Sequence, residues 1–228
     1  MTEPGRAESA AALAQCPRLA AGEPFDFVCA GCGDCCRNRR DLVLSGYDLY
    51  RIARRLGLPT RLTADAFCKQ EFAPQTLLPA VVLRPNARTG NCPFFEADAC
   101  TIHAARPLAC ALYPLGQAID PATAAMEYYV QLPLCGARVS AQEQRTLQNY
   151  LDDAAITARA GIDARWAVVC TQLSDKLQQA GGRENPRYLP AARRIARALY
   201  FDYSIQDDFY PQFNANTQAL WPLLDKML

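Results

Sequence analysis

The sequence predicts a mainly α protein with a few short strands, in which cysteine-rich loops occupy the first half and helices the second. Three observations predict it. Nine of the eleven cysteines fall between Phe25 and Gly136. Glycine and proline punctuate that same stretch, as they do in loops. From Ser140 onward the apolar residues recur at helical spacing. This shift in composition divides the 228 residues into a flexible lead-in over 1–24, a thiol-rich domain over 25–137 and a helical part over 138–228 packed on it. At 50% hydrophobic residues the chain has material for one sizeable core, which excludes collagen, coiled coil and wholesale disorder.

Charge excludes more. The 24 basic residues against 23 acidic ones leave a net charge of +1, so neither a nucleic acid nor an anionic membrane is expected as partner. The 21 arginines to 3 lysines are spread along the chain and read as compositional bias rather than as an anion site. No apolar run approaches the roughly 18 residues of a membrane span, and Glu3 and Glu8 interrupt the opening segment, so a cytoplasmic protein is expected. In a reducing compartment eleven thiols favour metal ligation over disulfides, and their odd number argues against a fully paired framework.

Taken in order, the elements are these. Ser45 with Asp48 three residues on opens a helix over Gly46 to Leu56. A second helix follows Thr63, runs through Phe67 and carries Cys68. Leu78 to Leu83 and Met126 to Leu132 read as short strands. Pro107 suits the first turn of a helix that carries Cys110. Ser140 with Glu143 predicts a capped helix over 141–159, broken at Gly161; Ile162 to Ala180 repeats the pattern and stops at Gly181-Gly182. Pro190 starts a third helix through Tyr200, and Gln218 to Leu228 forms a last one containing Trp221. Cys170 sits on an apolar helix face and reads as packing.

The strongest chemical signal is Cys29-Ala30-Gly31-Cys32-Gly33-Asp34-Cys35-Cys36. Two residues between cysteines let a tight turn bring both sulfurs to one centre with backbone amides facing the thiolates. Three cysteines so spaced, with Cys92-Pro93 as a remote Cys-Pro, are ferredoxin-like, while a zinc knuckle uses the same spacing. Neighbouring side chains tend to diverge, so Cys35 and Cys36 are expected to face two centres or a polynuclear cluster. A second group comprises Cys92, Cys100, His103, Arg106, Cys110, Tyr113 and Cys135. His103, the only histidine, stands three residues after a cysteine and is a candidate ligand. Arg37, Arg39, Arg40 and Arg106 are candidates to offset thiolate charge, and the first three read equally as a solvated surface run.

These segments, from Cys29 through Cys36, Cys92-Pro93-Phe94, Cys100-Thr101-Ile102, Arg106-Pro107, Cys110 and Tyr113-Pro114, resemble the CxxCxxCC cysteine-cluster family, described as zinc- or iron-chelating. The resemblance covers roughly residues 27–137 and implies eight metal ligands: Cys29, Cys32, Cys35, Cys36, Cys92, Cys100, Cys110 and Cys135. His103 stands where the family usually has Tyr, and Cys135-Gly136 replaces Cys-Pro-Gly. Cys16 and Cys68 lie outside the pattern. Relatives resembling flagellin lysine methylase imply an iron-sulfur cluster, S-adenosylmethionine and protein lysine N-methylation. This chain lacks a Gly-x-Gly-x-Gly after a strand and a Cys-x3-Cys-x2-Cys run.

The leading expectation is therefore an iron-sulfur protein, with a 4Fe-4S cluster on the eight cysteines and Arg106 and Tyr113 beside it. The alternatives are a zinc-stabilised binding module without catalysis and a metal storage or delivery protein. In an enzyme, substrate is expected beside Arg106, Tyr113 and the Tyr128-Tyr129 strand, with the helical part as cover.

Overall fold

The computed structural model describes residues 15–27, 29, 33–37, 42–131 and 145–228. Among the described residues 49% are helical and 16% strand, so the fold is mixed α/β with helix predominating. The strands form three small antiparallel sheets. β1 (Arg18–Leu19), β8 (Met126–Val130) and β7 (Leu115–Ile119) make one in that order. β2 (Val43–Leu44), β4 (Pro79–Leu83) and β3 (Cys68–Phe72) make the second, and the hairpin β5 (Phe95–Glu96) with β6 (Ala99–Cys100) the third.

The helices are α1 (Gly46–Leu56), α2 (Thr60–Phe67), α3 (Leu108–Leu112), α4 (Leu147–Asp153), α5 (Ala160–Gln179), α6 (Tyr188–Ala196) and α7 (Phe209–Met227). α1 begins as the sequence predicts. The Ser45 hydroxyl accepts from the Asp48 amide, and the Asp48 carboxylate accepts from the Ser45 amide, both at 3.1 Å. α2 starts at Thr60 rather than after Thr63, and Cys68 begins β3 instead of ending the helix. β3 reads Cys-Lys-Gln-Glu-Phe, whose polar run offers no alternation to recognise; it exists because it pairs with β4 from Cys68↔Leu83 to Phe72↔Pro79.

The helix expected over 141–159 is corrected. Its Ser140 and Glu143 lie outside the described residues, and the capping box seen is Thr146 with Asn149. The break falls at Ala155, in the left-handed region at φ 56°, and not at Gly161, which sits in the first turn of α5. Breaking there lets Ile156 bury completely and turns Arg159 inward. The third helix gives way at Ala196 to a π-helical turn over Arg197–Phe201. α7 begins at Phe209, well before Gln218, because Phe209, Phe213, Thr217, Leu220 and Leu224 form one buried stripe. No helix among the described residues is long and apolar enough to cross a membrane.

Two cores result. The larger joins Leu49 and Ile52 of α1, Val81 of β4, Leu173 and Leu177 of α5, Ile195 of α6 and Phe213 of α7. The smaller joins Phe25, Phe27, Ala111, Leu112 and Leu115 to Leu147, Leu151 and Ile156. Both draw on the thiol-rich half and on the helical half, so neither half buries its apolar surface alone.

Candidate metal centre

The thiol-bearing segments are fixed locally before they meet. Cys35 and Cys36 lie in a 3-10 turn over Asp34–Cys36, entered through Gly33 at φ 74°. A Cβ at Gly33 would stand 2.4 Å from the Phe95 ring, so only glycine lets the β5–β6 hairpin approach this loop. Arg37 completes the junction. Its guanidinium donates to Asp98 at 2.8 Å and lies 5.0 Å from the Phe95 ring centroid. The Cys92 amide donates to the Cys36 carbonyl at 2.9 Å, drawing the second cysteine group onto the first. Arg51 of α1 holds the Cys100-to-Arg106 segment by donating to the Ala104 carbonyl at 2.6 Å.

Cys110 sits in α3, five residues long and too short to persist unaided. Both its ends are held from outside. The Leu108 amide at its start donates to Asp48 at 3.0 Å, and the same carboxylate oxygen accepts from Arg159 at 2.8 Å. Arg159 in turn donates to both oxygens of Asp163 at 2.7 and 2.8 Å. All three side chains are at most 5% exposed. Burial disfavours the Arg159 charge, but Asp48 and Asp163 outweigh it and hold its pKa above the ordinary value. At the far end the Tyr150 hydroxyl lies 2.8 Å from the Ala111 carbonyl and 2.7 Å from that of Tyr113, donating between them.

These segments line a half-open cavity of about 470 Å³ between the two cores. Six of the eight family-pattern cysteines line it: Cys29, Cys35, Cys36, Cys92, Cys100 and Cys110. His103, Arg106 and Tyr113 line it too, as do Arg145, Tyr150 and Asp153 from the helical half. Cys32 and Cys135 lie outside the described residues, as do Arg39 and Arg40. Cys68 and Cys170 are buried elsewhere in the larger core. The Tyr128-Tyr129 strand is not part of the wall. Tyr128 packs against the smaller core, and the Tyr129 hydroxyl donates to Glu127 at 2.6 Å.

The electrostatics are those of crowded thiols. The Cys36 thiol is held well above its ordinary pKa, first by its hydrogen bond with Cys35, then by burial, then by the charges of Cys35, Cys92 and Cys110. Burial likewise pushes Cys100 up, with the Ile102 amide and Arg106 pulling the other way. Burial also pushes Tyr150 up to about 12. The His103 imidazole is held down by burial and by Arg106, whose Nη1 lies 2.5 Å from Nε2. A bound cation relieves this mutual repulsion by displacing the thiol protons.

The donor set fits zinc or iron, since clustered thiolates with one imidazole are soft ligands of the kind those metals take. The Cys35 and Cys36 sulfurs are 4.0 Å apart. Two thiolates on one tetrahedral zinc, each about 2.3 Å from it, stand about 3.8 Å apart. The expected divergence of these neighbours is therefore absent. Successive side chains oppose one another in a strand but lie only about 120° apart in a 3-10 turn, where rotamers can converge. Among the described residues no three His, Cys, Asp or Glu side chains are close enough to hold one ion by themselves.

Asp48, Arg159, Asp163 and Tyr150 were not among the residues the sequence singled out for the site. The capping role of Asp48 and the i,i+4 spacing of Arg159 and Asp163 are visible in the sequence, but their convergence is not. No protein of curated function and no solved structure matches the chain. Residues 28–136 match the CxxCxxCC family, and the span includes every segment that builds the thiol-lined wall except Phe27 and the helical half. Over residues 28–136, just under half of its length, the chain is similar to the CxxCxxCC family, whose description reads "putative zinc- or iron-chelating domain".

Proposed function

We propose that the chain is an iron-sulfur protein whose cluster, of the 4Fe-4S type, is held by cysteines of the pattern Cys29, Cys32, Cys35, Cys36, Cys92, Cys100, Cys110 and Cys135. The observation that carries this reading is the convergence of six of those thiols on one cavity of about 470 Å³. That is far more room than one ion needs, a water molecule taking only about 30 Å³. Such a cluster, when bound, supplies one-electron transfer. The chain's own residues do the rest. Arg106 sets a positive charge beside the thiolates. His103 stands at the rim as a further donor, and Phe27, Leu42, Leu83 and Ile102 give the cavity an apolar lining.

A zinc centre is the second reading, favoured by the 4.0 Å spacing of Cys35 and Cys36. It would close loops rather than move electrons. Anaerobic purification with elemental and sulfide analysis distinguishes the two. Iron with sulfide and a broad visible absorption is the expected result, and a colourless, zinc-replete protein supports the second reading. Cys32→Ser and Cys110→Ser should each lower the metal content and destabilise the fold, while Cys170→Ser keeps its metal in full. An unchanged metal count in Cys110→Ser overturns the single-site grouping. His103→Ala should shift the absorption spectrum or the reduction potential.

A further inference from the structure

We infer that Tyr150 is a positioning residue for Cys110, so that docking of the helical half and metal binding are one coupled equilibrium. The inference rests on the metal-centre reading above. α3 presents Cys110 to the cavity, yet its five residues cannot hold a helical turn alone. What orients it are groups at its two ends. At the start, Asp48 accepts from the Leu108 amide and is itself held by Arg159. At the end, the Tyr150 hydroxyl donates between the carbonyls of Ala111 and Tyr113 and so ties the last residues of the turn to the helical half. Arg159 and Tyr150 both belong to the helical half, outside residues 28–136.

The same half supplies Arg145, Asp153 and Ala154 to the cavity wall and Leu147, Leu151 and Ile156 to the core beneath α3. A helical half that swings away therefore releases Cys110 along with the wall. Linkage makes the effect reciprocal: if docking tightens metal binding, the metal tightens docking by the same factor.

The test uses the full chain, loaded anaerobically with Zn²⁺ or with ferrous iron and sulfide, whichever the unaltered protein retains through gel filtration. Metal transfer to a chromophoric chelator is then followed. Tyr150→Phe should bind about tenfold more weakly, the range typical of groups that orient a metal ligand. Tyr188→Phe is the matched control, because its hydroxyl donates to the Leu77 carbonyl at 2.8 Å, away from the cavity. It should lose thermal stability to a similar degree and keep its metal affinity. Equal retention by the two variants overturns the inference.

Should Tyr150→Phe fail to fold, hydrogen exchange of the unaltered protein decides. Metal loading should slow exchange across Leu147–Asp153 as well as Leu108–Leu112, and protection confined to the cysteine segments overturns the coupling. An unaltered protein that retains neither metal overturns the metal-centre reading instead, and does so before any variant is made.

Discussion

A methyl group added to Gly46 would lie 2.0 Å from the Leu199 carbonyl oxygen and 2.8 Å from the Trp166 ring. Neither neighbour is free to retreat, since Leu199 lies in the π-helical turn over Arg197–Phe201 and Trp166 packs against the larger core. Gly46→Ala should therefore destabilise the fold by about 1–3 kcal/mol, the usual range for overpacking, even though alanine favours helices. A urea melt checks it, and a variant as stable as the parent would mean the backbone shifts freely. Cys68 makes a second case at this scale. It is 5% exposed, and burial pushes its thiol up to about 12. In the folded, metal-free protein, iodoacetamide at neutral pH should leave Cys68 unmodified while labelling Cys29, which is exposed. Mass spectrometry of the digested protein reads this directly. The sequence placed Cys68 outside the ligand pattern but on a helix, because a single polar strand leaves no periodic trace.

The β5–β6 hairpin turns through Ala97 and Asp98, at φ 45° and 60°. Pairing of Phe95 with Cys100 and Glu96 with Ala99 makes this a two-residue loop with both central residues in the left-handed region. Alanine has neither the freedom of glycine nor the local hydrogen bonding of asparagine there. Ala97→Gly should stabilise the protein by about 0.5–1 kcal/mol. Thermal unfolding measures it, and a drop would show that the turn is set by its tertiary contacts instead. Asp98 cannot be exchanged so simply, because it accepts from Arg37. Among the helices, α1 was legible to the residue because its capping box is a local code. The start of α7 was not, since Pro211, Asn214 and Asn216 weaken helix propensity there and the polar Thr217 interrupts the apolar stripe from Phe209 to Leu224.

At the scale of the whole molecule, the Asp48–Arg159–Asp163 network joins helix starts from both halves in a site at most 5% exposed. Arg159→Met would leave two buried carboxylates without their cation and should cost about 3–5 kcal/mol. A guanidinium melt tests this, and a loss below about 1 kcal/mol would mean that water or rearranged side chains replace the arginine. The chain by itself determined the cysteine spacing that matches the CxxCxxCC family over residues 28–136, and the amphipathic helices, because both patterns are written within a few residues. Tertiary structure alone decided where the 141–159 segment breaks, where α7 begins and what holds α3. Asp48 and Arg159 are 111 residues apart. The left-handed Ala155 that turns Arg159 inward carries no sequence signal, since alanine ordinarily continues a helix. Charge pairing in a water-excluded core depends on which distant groups fold to the same place, and no local pattern specifies that.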